Sequence, residues 1–246
     1  MRPEIRILLA LAGFGVLSMI VYAFSAESRA PGKNKSGRAG SFLLGFWLRD
    51  WFYWLFRPFR DFCASRRISP TTFNVLGVIF GAIAMVLFAR GQLAAAGYAI
   101  LLSGIADALD GEVARAQGRT SRAGAFIDST LDRWVDFMLF AGLAVFFDSG
   151  LPVLLCLVGL GGSLLVSYTR ARGEALGVSC RFGVMQRAER MIGLAAGGIF
   201  DATVASFTGA EPGTLMIVTL ALIAAGSTLT ALYRTIWIAR SLHQSD

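Results

Sequence analysis

Seven long apolar runs, separated by short polar or basic stretches, organise this chain: residues 7–24, 72–89, 93–106, 124–147, 151–168, 191–207 and 214–239. Several reach the roughly 20 residues that a helix needs to cross the hydrocarbon of a bilayer. No water reaches that depth to satisfy backbone N–H and C=O groups, so each run is predicted to be a helix. The run at 93–106 is short and leads straight into acidic residues. Its helix is expected to continue through Asp107 and Asp110 toward Ala114, which puts those carboxylates near a membrane surface. Between the first two runs, residues 41–67 interleave Trp47, Trp51, Trp54, Phe56 and Phe59 with Arg49, Arg57 and Arg60. That pattern predicts a helix lying in the interface, with rings at headgroup depth and arginines toward anionic lipid. An aromatic belt packed on a bundle is the plainer reading of the same residues.

Composition agrees with a membrane protein: of 246 residues, 55% are hydrophobic and 16% charged, whereas soluble chains carry about 25% charged residues. The net charge of +7 does not indicate a nucleic-acid partner, because the basic residues flank apolar runs instead of forming one water-facing patch. The turns at Gly91, 148–152 and 209–213 adjoin only Arg90. The opposite ends carry Arg115, Arg119, Arg122, Arg170, Arg172, Arg181, Arg187, Arg190 and Arg240. The positive-inside bias therefore predicts that the acidic residues and the arginine-rich loops face the cytoplasm, with the protein in the cell (inner) membrane. Cys63, Cys156 and Cys180 have no ligand-like spacing and are read as reduced bystanders; His243 is read as solvated. Residues 7–24 suit either an uncleaved anchor or the core of a signal peptide, and the absence of a clear cleavage site favours the anchor. Residues 31–40 (PGKNKSGRAG) have linker composition, so the predicted domains are 1–40, 41–67 and 68–246.

Asp107 and Asp110 are three residues apart, and Asp128 and Asp132 four apart, so each pair projects from one face of its helix. The loop between them can bring the pairs together. Ionised groups at membrane depth cost several kcal/mol unless paired, hydrated or bound to an ion. Four carboxylates in two neighbouring segments thus predict a cation site, and hard oxygen ligands without His or Cys predict Mg2+ or Mn2+. Gly111 and Ala114 leave room for a ligand close to the backbone, and Arg115 offers a fork for phosphate. Each residue alone has an ordinary structural explanation, since small residues serve helix packing and Asp beside Arg forms salt bridges. Together they specify metal, phosphate and space.

These positions fit D-x2-D-G-x2-A-R-x8-G-x3-D-x3-D, with Gly124 as the later glycine. The chain therefore resembles the CDP-alcohol phosphotransferases. The resemblance covers the six runs from residue 72 onward and leaves residues 7–40 outside it. It implies an all-α integral membrane protein with a six-transmembrane-helix core bundle, to which this chain adds the interfacial helix and an extra N-terminal hydrophobic segment. It also implies an enzyme that transfers a phosphatidyl group from CDP-diacylglycerol or a related CDP-alcohol to a hydroxyl, releasing CMP. By the same resemblance Asp107, Asp110 and Asp128 ligate metal, two ions in all on the two-metal pattern, while Asp132 ligates metal and serves as base. Gly111, Ala114 and Arg115, with Asp107, border the CDP moiety, and the protein is a homodimer.

The stretch 126–136 (FIDSTLDRWVD) and the loop 167–190 (SYTRARGEALGVSCRFGVMQRAER) are similar to the phosphatidylinositol-phosphate and archaetidylinositol-phosphate synthase branch. That likeness implies a polyol phosphate acceptor, inositol phosphate, gripped by Arg170, Arg187 and Arg190, with Arg234 as a further candidate. Positive-inside orientation alone would also put arginines there. The chain departs from the family pattern at Thr71, where Asn is usual after the proline, and at Asn74, where Thr is usual three residues later, and it departs from the branch at Arg170, Gly173 and Gln186. Glycerol 3-phosphate is the alternative acceptor. A cation-coupled transporter is the reading from another class, and the lack of an internal duplication speaks against it.

Overall fold

A computed structural model describes residues 3–25, 45–180 and 182–244; the expected linker at 31–40 lies outside the described residues. Among the described residues there are eight helices and no strand: α1 Pro3–Phe24, α2 Gly45–Ser65, α3 Pro70–Ala89, α4 Leu93–Ala116, α5 Arg122–Phe147, α6 Gly150–Ala175, α7 Arg187–Thr208 and α8 Thr214–His243. Each predicted apolar run lies within one of them. Helices α4, α6, α7 and α8 run past their apolar stretches by a turn or more at one end only, the end that carries the basic residues.

Five helices, α3, α4, α6, α7 and α8, are long and apolar enough to cross a membrane. The expected sixth, α5, has 26 residues, but its stretch 122–136 carries Arg122, Asp128, Asp132, Arg133 and Asp136. Its departure from a simple apolar span has the same origin as its interest: the polar groups sit where the functional chemistry is expected.

Helix α3 is the hub. It packs against both α4 and α5, whereas those two make little direct contact; α4 also packs on α7, and α6 on α8. Close approach depends on missing side chains. A Cβ on Gly142 of α5 would stand 2.5 Å from the Met85 carbonyl oxygen on α3, and one on Gly97 of α4 would stand 2.6 Å from the Ala195 carbonyl oxygen on α7. Without a hydrophobic drive between helices in lipid, such small-residue contacts let van der Waals packing hold the bundle. The apolar core, including Phe88, Ile100, Leu139, Leu143, Leu194, Leu220 and Ile223, is shared by α3, α4, α5, α7 and α8.

Asp201 of α7 accepts hydrogen bonds from the backbone N–H groups of Gly213 (2.6 Å) and Met216 (3.2 Å). A carboxylate is thereby brought to the N-terminus of α8, satisfying donors that have no intrahelical partner and complementing the helix dipole.

Helix α2 alternates aromatic and charged residues as expected and docks on the bundle through Cys63 and Phe56, which pack with Phe73, Leu109 and Val113. Burial pushes the Cys63 thiol pKa up. Helix α1 reaches α2 through Tyr22, whose ring lies 5.5 Å from the rings of Trp47 and Trp54.

Candidate active site

The polar end of the bundle is assembled by α4, α5 and α7 around the start of α3. Ser121 caps α5, its Oγ accepting from the Gly124 N–H at 3.0 Å, so the second acidic pair enters the helix about two turns after a defined start. Ser103 Oγ donates to the Gly77 carbonyl at 2.8 Å and ties α4 to α3 just beneath the acids. Because α4 and α5 are each held by α3 and barely by each other, a narrow cleft remains between them. Phe73, Asn74 and Gly77 line it from α3, Ser103 and Asp107 from α4, Asp128 and Asp132 from α5, and Arg187 from α7.

Three of the four predicted aspartates line this cleft, and Asp110 lies behind them next to Asp128. Asp107, Asp128 and Asp132 each offer a carboxylate oxygen within 4.8 Å of the others. Asp110, more deeply buried, is within hydrogen-bonding reach of Asp128 and accepts from the Gly111 N–H; Asp107 is likewise within reach of Asp132. Carboxylates this close repel strongly unless protons or cations intervene. The trio's hard oxygen donors, their spacing and their partial exposure fit a divalent cation such as Mg2+ or Mn2+.

One protein cation already stands among them. Arg187, in the first turn of α7, places Nη1 at 2.6 Å from Asp107 Oδ2 and Nη2 at 2.9 Å from Asp132 Oδ1. One turn deeper the pattern repeats: Arg190 Nη2 reaches Asp136 Oδ2 at 2.9 Å, with both side chains almost wholly buried. Arg133 lies 3.5 Å from Asp132 and 3.7 Å from Asp136, joining the two layers. Acids of α5 thus face arginines of α7 in a two-step ladder from the cleft into the protein.

The remaining predicted arginines collect beside this ladder. Arg234 lies within electrostatic range of Arg170, Arg190 and Glu174, and Arg190 within range of Arg187. Their present partners differ. Arg170 pairs with Glu174 at 3.0 Å on the surface. Arg234 is buried and donates to the Phe182 and Val166 carbonyls at 2.8 Å each. Arg190 and Arg234 are therefore anchored in the protein to a degree that the sequence pattern does not convey.

On the other flank, Arg115 folds its guanidinium over Gly111, where a Cβ would stand 3.1 Å from Nη1. Nη2 donates to Glu112 Oε1 at 2.8 Å. The other oxygen of Glu112 accepts from Arg60 of α2 at 3.4 Å. Burial works against the Arg60 charge, but Asp61 and Glu112 more than offset it and its pKa is raised. Sequence reasoning passed over Glu112, Asp136, Arg133, Ser103 and the contribution of Arg60. Asn74 drew notice only as a departure from a pattern, yet it lines the cleft.

This fold and this site define a class: a membrane-embedded enzyme whose acidic quartet spans two helices. The family model of the CDP-alcohol phosphatidyltransferases matches residues 68–225, and the chain belongs to that family. It is 35% identical over 224 residues to a phosphatidylinositol phosphate synthase of Streptomyces avermitilis, covering 87% of this chain and 90% of that protein. It is 39% identical over 144 residues to an archaetidylinositol phosphate synthase of Methanothermobacter thermautotrophicus, covering 58% of this chain and 73% of the relative. Among solved structures, the phosphatidylinositol phosphate synthase of Mycobacterium tuberculosis with CDP-DAG bound superposes with a TM-score of 0.64 at 28% identity, over 74% of this chain and 92% of that one. The same relative complexed with manganese and citrate gives the same TM-score and identity.

Proposed function

We propose that this protein transfers a phosphatidyl group from CDP-diacylglycerol to a hydroxyl of inositol phosphate and releases CMP. The observation that carries the proposal is the convergence of Asp107, Asp128 and Asp132 within 4.8 Å beside an arginine cluster. The names of the relatives, phosphatidylinositol phosphate and archaetidylinositol phosphate synthase, support the acceptor over glycerol 3-phosphate.

In this reading Asp107, Asp110, Asp128 and Asp132 hold two divalent ions, Mg2+ or Mn2+. Bound there, such ions neutralise charge on the diphosphate and orient it for in-line displacement. Asp132 takes the proton from the attacking hydroxyl. That oxygen bonds to the phosphorus bearing the diacylglycerol, the bond from this phosphorus to the oxygen of CMP breaks, and CMP departs with the electron pair. Gly111, Ala114 and Arg115 border the CDP moiety, with Arg115 as the phosphate fork. Arg170, Arg187, Arg190 and Arg234 receive the acceptor phosphate; Arg190 and Arg234, locked by Asp136 and by carbonyls, and Arg187, held by Asp107 and Asp132, supply fixed charge, and the more exposed Arg170 supplies the adaptable contact.

The same reading makes α5 the sixth span, with its charged half in the headgroup layer and the cleft open to the cytoplasm, and makes the enzyme a homodimer. Residues 41–67 then form the interfacial element and 1–40 an anchor and linker ahead of the catalytic domain at 68–246. The test is CMP release by purified protein in lipid nanodiscs, given CDP-diacylglycerol with either inositol phosphate or glycerol 3-phosphate, with Mg2+ and then with EDTA. Turnover is expected with inositol phosphate and lost with EDTA. Turnover with glycerol 3-phosphate alone sinks the acceptor assignment.

A further inference from the structure

Beside the acidic quartet an ionic chain joins Arg115 to Glu112 and Arg60, two residues to which the reaction described above gives no part. Glu112 sits in the acidic signature, one residue after Gly111, and its side chain is only 10% exposed. Each of its oxygens serves a different arginine: Oε1 accepts from Arg115 Nη2 at 2.8 Å, and Oε2 accepts from Arg60 Nη1 at 3.4 Å. Arg60 belongs to α2, outside the catalytic bundle, and is itself oriented, because its Nε and Nη2 both donate to Asp61 Oδ1, at 2.9 and 2.7 Å. Helix α2 cannot slide freely beneath this chain, since Cys63 packs with Leu109 and Val113 on the same stretch of α4.

From this arrangement we infer that Arg60 is a positioning residue for donor binding: through the shared carboxylate of Glu112 it fixes the guanidinium of Arg115 over Gly111. The inference rests on the proposed role of Arg115 at the CDP moiety.

A long arginine side chain loses rotamer freedom worth up to about 2 kcal/mol when it is ordered. A guanidinium already held by a buried carboxylate meets its phosphate with much of that cost removed. Glu112 can hold Arg115 in one place only if its own carboxylate is fixed, and Arg60 supplies that second grip. A partner 52 residues away on the interfacial helix thereby becomes part of the donor site. The effect belongs to donor affinity. Asp128, Asp132, Arg187 and the acceptor arginines lie on other helices, and Asp107 and Asp110, though on α4, are held by Arg187 and by Asp128 and the Gly111 N–H rather than by Glu112 or Arg60, so the chemical step and acceptor binding are not engaged.

The experiment compares wild type, Arg60→Ala, Arg60→Lys, Glu112→Gln and Arg60→Ala/Glu112→Gln in nanodiscs. Thermal melts verify folding, and initial rates are measured while each substrate is varied. Separately, titration calorimetry measures CDP binding in the presence of Mg2+. Arg60→Ala is expected to raise the donor KM and the CDP Kd by roughly tenfold, the effect of one charge-assisted contact, with kcat and the acceptor KM within about twofold of wild type. Arg60→Lys keeps a cation for Glu112 and is expected to recover most of the loss. Glu112→Gln is expected to give the same phenotype, and the double variant to be no worse than either single one.

An unchanged donor KM in Arg60→Ala, additive effects in the double variant, or equal damage to kcat and both KM values would overturn the inference while leaving the proposed reaction intact. If Arg60→Ala does not fold, Arg60→Gln replaces it with the same expectations. A wild-type protein that binds CDP but releases no CMP refutes the proposed reaction alone, and the calorimetric comparison still decides the role of Arg60. A wild-type protein that fails to bind CDP refutes both.

Discussion

Replacing Asp136 by alanine removes the carboxylate that Arg190 meets at 2.9 Å, in a pair whose side chains are 3% and 2% exposed. The arginine left behind has no route to water, and Arg133, 3.7 Å from the lost oxygen, adds a second positive charge to the same pocket. Breaking a buried ion pair from one side costs about 3–5 kcal/mol, most of it the penalty of an uncompensated buried charge. The nearby Arg133 and Arg187 place this site toward the upper end of that range. Removing both charges in Asp136→Ala/Arg190→Met takes the penalty away, leaving a lost packing contact of about 1 kcal/mol or less. Reversible unfolding in mixed micelles, followed by intrinsic fluorescence, compares the two variants with wild type. The expected order is a large loss for the single variant and recovery of most of it in the double. A single variant within about 1 kcal/mol of wild type, or a double variant as unstable as the single, would refute the claim that this pair is a buried, mutually dependent unit.

Other residues give sharper expectations for activity and for local structure. Asp132→Asn keeps the shape of the side chain but removes the proposed base; kcat is expected to fall by about 10²- to 10⁴-fold while CDP binding measured by calorimetry persists. Asp201→Ala takes two hydrogen bonds from the N-terminus of α8 and should lower stability by about 1–2 kcal/mol, detectable as faster backbone hydrogen exchange at residues 213–216 with CMP release little changed. Gly97→Val drives a side chain against the Ala195 carbonyl and Ile199 and should separate α4 from α7, read as loss of both thermal stability and activity. Cys63, buried with a raised thiol pKa, is expected to resist alkylation in the native protein and to react on unfolding; rapid native labelling would contradict the docking of α2 on the bundle.

The acidic site was legible because its chemistry dictates residue types: aspartates at helical spacing, flanked by glycine, alanine and arginine, have few other uses inside an apolar chain. The helices were legible for the same kind of reason, since a bilayer imposes a length and a polarity that residues 72–89 or 214–239 display openly. What remained hidden was pairing across distance. Asp136 and Arg190 are 54 residues apart, and Arg60 and Glu112 are 52 apart; neither pair leaves a periodic trace, and each member reads as an ordinary charge until the helices cross. Arg190 and Arg234 were visible as basic residues near the site, but nothing in the sequence revealed that Asp136 and the carbonyls of Val166 and Phe182 would claim them. The α5 helix falls short of a simple apolar span because the same residues that build the site interrupt its hydrophobicity.

Binding of Mn2+ to the purified protein, followed by electron paramagnetic resonance as the free-ion signal disappears, bears most directly on the acidic cluster. Wild-type protein is predicted to bind Mn2+ saturably, with binding weakened at least tenfold in Asp107→Asn and in Asp128→Asn, and with Mg2+ displacing the bound ion. Wild-type protein that leaves the free signal unchanged, or variants that bind Mn2+ as tightly as wild type, would contradict the account of these carboxylates as a divalent-metal site.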